Sequence, residues 1–74
     1  MNFSEILKDI MNEKGITQTA LAIKSGLRQG QISEWLSSRS TPGFYNLRIL
    51  CKALDVSGDE ILGLSEDFTK KDKK

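Results

Sequence analysis

The sequence predicts an all-α domain of five short helices. Apolar residues recur at helical spacing in successive windows of the chain. Each window is bracketed by capping residues and glycine. No stretch alternates apolar and polar residues with the two-residue period of a strand.

The first window holds Phe3, Ile6, Leu7, Ile10 and Met11, spaced i, i+3, i+4, i+7, i+8. Asn2 caps it, with Glu5 as the reciprocal partner of a capping box. Gly15 stops it. Thr17 caps a second helix, Gln18 to about Lys24, with Leu21 and Ala22 toward the core. Gly26 ends that helix in a left-handed turn. A third helix is expected from about Arg28 to Ser37, with Ile32, Trp35 and Leu36 inward. Ser40-Thr41-Pro42-Gly43 reads as a loop, marked by the single proline. The fourth helix spans Phe44 to Leu54, with Phe44, Leu47, Leu50, Cys51 and Leu54 on its apolar face. Ser57 and Glu60 form the capping box of a fifth helix, and Val56 staples to Ile61. Leu62-Gly63-Leu64 closes it. Residues 1–65 are read as one domain and 66–74 as a charged, frayed tail.

At 74 residues the chain suits one small domain, of a size that buries only about 60% of its unfolded surface. No apolar run approaches the roughly 18 residues of a membrane span. No secretory pattern follows Met1, so a cytoplasmic location is expected. The chain has one cysteine and no histidine. An internal disulfide is thereby excluded, and a structural zinc site is not expected. Neither a cofactor nor a small-molecule ligand is expected. The carboxylate pairs Asp9/Glu13 and Asp59/Glu60 read as solvated helix faces, because no nucleophile or partner base accompanies them. An enzyme is therefore disfavoured.

Net charge is +1, yet the charge is segregated. Residues 14–52 hold Lys14, Lys24, Arg28, Arg39, Arg48 and Lys52 against Glu34 alone, or +5. Residues 1–13 carry −2, residues 53–67 carry −5 and residues 68–74 carry +3. The positive block surrounds the third helix, whose outward side is unusual. It lacks the Lys/Glu ladder of an ordinary solvated helix. It presents Gln29, Gly30, Gln31, Ser33, Glu34 and Ser37 instead. Short amides serve solubility poorly but can hydrogen-bond to base edges. Helices two and three are expected to be joined by only Ser25-Gly26-Leu27, a helix-turn-helix connection.

The segment "TQTALAIKSGLRQGQISEWLSSRSTPGFYNLRILCKALDVSGDEIL" resembles the phage-repressor, or Cro-type, helix-turn-helix domain of the XRE family. Gln18, Leu21-Ala22, Gly26, Ile32, Pro42, Leu47, Ala53-Leu54, Val56 and Ile61-Leu62 carry the resemblance, over residues 17–62. It implies a five-helix, lambda-repressor-like fold that binds double-stranded DNA, often as a homodimer. The third helix would enter the major groove while the second crosses the backbone. Bases would be read by Arg28, Gln29, Gln31 and Glu34, with Gln18 steadying Gln29. Phosphates would be met by Thr17, Gln18, Ser37, Ser38, Arg39 and Thr41. Two features depart from the pattern. Ser38 stands where glycine usually follows helix three, and Glu34 points a negative charge outward. Glu34 has three readings: it accepts from cytosine N4, pairs with Arg28 or Arg39, or weakens binding.

The expected function is a transcriptional regulator, a repressor acting by promoter occupancy. Its rival is a protein-binding module of the same fold, such as an antitoxin or adaptor using its acidic fifth helix. Trp35 is expected in the core. Cys51 is expected as a buried, inert thiol. Ile23 and Ile49 fall at exposed positions, and clustering with Leu64 or Phe68 would make them a partner patch.

Overall fold

Asn2 opens the first helix as its residue type requires. Its Oδ1 accepts from the Glu5 N–H at 3.0 Å, and Glu5 Oε1 accepts from the Asn2 N–H at 3.2 Å. Both arms of the capping box are thus present. The computed structural model describes residues 2–64. It holds α1 (Phe3–Lys14), α2 (Gln18–Ser25), α3 (Gln29–Leu36), α4 (Phe44–Leu54) and α5 (Gly58–Ile61), with no strand among the described residues. The expected charged tail, Phe68 included, lies outside them.

Four of the five helices stop by one device. A residue in the left-handed region follows the helix, and its own N–H and that of the next residue fold back onto the last carbonyls. Gly15, Ser38, Asp55 and Gly63 occupy that position, at φ 64°, 65°, 56° and 73°. The longer back-bonds run from Ile16, Arg39, Val56 and Leu64 to the carbonyls of Met11, Glu34, Cys51 and Asp59, at 2.9–3.0 Å. Glycine suits this geometry because it has no Cβ to meet the following carbonyl. Gly63 has a second reason. A Cβ there would come within 2.6 Å of Ile6 Cδ1, so α1 and α5 pack through it. Ser38 and Asp55 adopt the same backbone against a steric cost.

The core is formed by Leu7, Ile10, Met11, Leu21, Ile32, Trp35, Leu50, Ala53, Leu54 and Ile61. Every helix contributes to it. Helix α2 packs on α3 and α4, and α1 spans α3, α4 and α5. Trp35 is buried, as its spacing beside Ile32 and Leu36 requires.

The expectations need correction at six points. Helix α3 is shorter at both ends than Arg28–Ser37, because Arg28 is extended (ψ 138°) and serves as the N-cap. The link between α2 and α3 is accordingly Gly26-Leu27-Arg28. Phe44 is 77% exposed, not core. It is the first residue of α4, and helical side chains lean toward the N-terminus, which carries Phe44 past the core. It packs against its own helix instead, with the Arg48 guanidinium 5.9 Å from its ring centroid. Ile49 is half-buried rather than exposed, and lines a surface depression with Lys24, Ser25, Lys52 and Ala53. Cys51 is also half-buried, with burial raising its thiol pKa. At α5 the Ser57 hydroxyl accepts from the Glu60 N–H at 3.1 Å, which is one arm of a capping box.

Candidate nucleic-acid interface

The spacing of Ile32, Trp35 and Leu36 decides which way α3 faces. These side chains press into the core, so the opposite flank must face solvent. Arg28, Gln29, Gly30, Ser33, Glu34 and Ser37 are all exposed, while Gln31 is half-buried. Apart from its chain neighbours and the backbone of its own helix, no atom of the described residues lies within 4 Å of where a Gly30 Cβ would stand. The described residues leave this flank uncovered. Lys14, Lys24, Arg28, Arg39, Arg48 and Lys52 are exposed as well, so the positive block is a surface property.

Local chemistry positions each candidate. The Thr17 hydroxyl caps α2 by accepting from the Ala20 N–H at 3.1 Å. It keeps its own O–H as a donor for a phosphate oxygen. Gln18 Nε2 donates to the backbone carbonyl of Gln29 at 3.4 Å. That contact holds the first residue of α3, not its side chain. The Gln29 amide is met by another residue, with Nε2 donating to Thr19 Oγ1 at 3.2 Å. Gln31 turns back along its own helix, where its Oε1 accepts from the Arg28 N–H at 3.4 Å. No reciprocal cap from Arg28 is chemically available, since a guanidinium has no acceptor.

Glu34 is held sideways. Its Oε1 accepts from the Ser40 hydroxyl at 3.3 Å, so its partner here is neither Arg28 nor Arg39. Ser37 caps the helix end, donating its hydroxyl to the Glu34 carbonyl at 3.2 Å. Ser38 takes the left-handed position, and the Arg39 N–H is tied back to the Glu34 carbonyl at 2.9 Å. Ser37, Ser38, Arg39 and Thr41 are exposed together along this turn and loop. The structure therefore gathers two groups. Gln18 and Gln29 meet where α2 and α3 begin, beside the Thr17 cap, and Glu34, Ser37, Arg39 and Ser40 meet where α3 ends.

Sequence reasoning missed three contributors. Thr19 holds Gln29, Ser40 holds Glu34, and Ser4 anchors the far end of α3. Ser4 is buried, and its Oγ donates to the Leu36 carbonyl at 2.6 Å across 32 residues of sequence. No local signal could have paired them. The only hint was a serine at position 4, inside the apolar window of α1.

Among the described residues no helix is long and apolar enough to cross a membrane, and no cluster of three or more His, Cys, Asp or Glu could hold a metal. Comparison with known proteins agrees with the geometry. A family model described as helix-turn-helix matches residues 7–61. The chain is similar to the HTH-type transcriptional activator BcrR of Enterococcus faecalis, at 32% identity over 69 residues. That match covers 93% of this chain but 34% of the relative, so the chain spans about a third of that protein's length. No solved structure matches. With a family match over most of its length and a short turn joining α2 to an outward-facing α3, the chain belongs to the helix-turn-helix family of the phage-repressor, or XRE, type.

Proposed function

We infer that the chain is a sequence-specific double-stranded DNA-binding regulator of transcription, acting by binding rather than by catalysis. One observation carries this reading. The polar flank of α3 is exposed among the described residues and lies within the cationic stretch of the sequence, residues 14–52. A helix of that width fits the major groove. Arg28, Gln29 and Glu34 would face base edges, with Gln31 beside them. Thr17, Gln18, Ser37, Ser38, Arg39 and Thr41 would meet phosphates on either side and fix register. Glu34 would accept from cytosine N4, once Ser40 has set its direction.

The chain would work as a homodimer on two half-sites about one helical turn, roughly 34 Å, apart. Repression follows if that site overlaps a promoter. Activation is the second reading, because the relative named above is an activator.

A salt titration on a selected DNA site tests the proposal. Affinity should fall steeply with salt, and Arg39→Ala should lower the slope by about one. A flat response would remove DNA binding from the account.

A further inference from the structure

We propose that Thr19 is a positioning residue that presents Gln29 to the major groove as an adenine reader. This rests on the DNA-binding reading above and names what one position of the site selects. Thr19 is the second residue of α2, and Gln29 is the first residue of α3. The two helices begin side by side, and Gln29 Nε2 donates to Thr19 Oγ1 at 3.2 Å. Both residues are exposed.

A carboxamide has one acceptor oxygen and two N–H bonds. Thr19 takes one N–H. The remaining N–H and Oε1 make up the edge that adenine requires, donating to N7 and accepting from N6–H. A free surface glutamine samples many rotamers and both amide orientations. It loses that freedom on binding, at a cost that lowers affinity and blurs selectivity. The bond to Thr19 removes part of the freedom before DNA arrives. Gln18 has a different task, since its amide meets the Gln29 backbone carbonyl at 3.4 Å. One residue of α2 thus holds the main chain of α3, and the next holds the reading group. Thr19 has no capping duty of its own, because Thr17 caps α2.

The test is binding-site selection from a random DNA pool with the full chain, followed by affinities for the consensus and its single-base-pair variants. The wild type should favour adenine at one position per half-site, by roughly five- to a hundred-fold. Gln29→Ala should abolish that preference. Thr19→Val, which keeps the shape and removes the acceptor, should reduce it about threefold or more, through the side-chain freedom it restores. It should leave selectivity at the other positions and the salt slope unchanged. Thr19→Ser should restore the preference, and Thr19→Val/Gln29→Ala should match Gln29→Ala alone. If Thr19→Val lowers the melting temperature, Thr19→Ala serves in its place, since alanine suits a helix better. Loss of preference in Gln29→Ala with none in Thr19→Val would overturn the role of Thr19 and leave the function standing. A Gln29-dependent preference for guanine would do the same. Enrichment of no sequence by the wild type would overturn both.

Discussion

Replacing Ser4 by alanine removes one hydroxyl from the contact between α1 and the end of α3. The Ser4 side chain is 6% exposed, and its bond to the Leu36 carbonyl is 2.6 Å long. Two effects oppose each other. The lost bond is worth about 0.5–1.5 kcal/mol net, and an acceptor left unpaired costs about 1–3 kcal/mol where water cannot reach it. Alanine returns at most about 0.5 kcal/mol of helix propensity. The Leu36 side chain is only half-buried and its carbonyl ends a helix, so the smaller penalties apply. The net cost is about 1–2 kcal/mol. For a domain of this size, that lowers Tm by roughly 5–15 °C. Thermal unfolding followed by circular dichroism measures it, and urea unfolding should show an unchanged m-value. Ser33→Ala, on the exposed flank of α3, is the control and should stay within about 2 °C of wild type, through the near-neutral effect of surface changes. A Ser4→Ala protein that melts with that control would refute the anchoring of α3 by α1.

Three further outcomes follow from the backbone and the thiol. Ser38→Gly should stabilise the free domain by about 0.5–1 kcal/mol, since relief of a left-handed residue outweighs glycine's extra unfolded entropy. A lower urea midpoint would contradict it. Gly63→Ala should destabilise by at least about 1 kcal/mol, because φ is +73° and the new Cβ meets Ile6. The double variant Gly63→Ala/Ile6→Val should recover part of that loss, and full additivity of the two changes would deny the contact. Burial raises the Cys51 pKa, so the folded state keeps its thiol proton when the unfolded state begins to lose it. The stability this contributes is complete below the unfolded thiol pKa, about 8.5, and is lost as pH rises through the folded value. Wild type should therefore weaken relative to Cys51→Ala on going from neutral to alkaline pH, and equal slopes in urea unfolding would contradict the shift.

The helices were legible because their causes are local. Asn2 with Glu5, Thr17, and the apolar spacing of α1 and α3 act within a turn or two of chain, so pattern alone located them. The outward polarity of α3 followed from the same period: once Ile32 and Trp35 are buried, Gly30 and Glu34 must face away. Phe44 defeats that logic. Periodicity assigns a face, but only the packed neighbours decide where the core stops, and α4 begins beyond it. The contacts that hold Gln29, Glu34 and the end of α3 were likewise decided in three dimensions. Thr19 with Gln29, Ser40 with Glu34, and Ser4 with Leu36 join different elements. A hydroxyl's partner is set by which atoms lie within about 3 Å of it, and that depends on how the helices pack rather than on residue type or spacing.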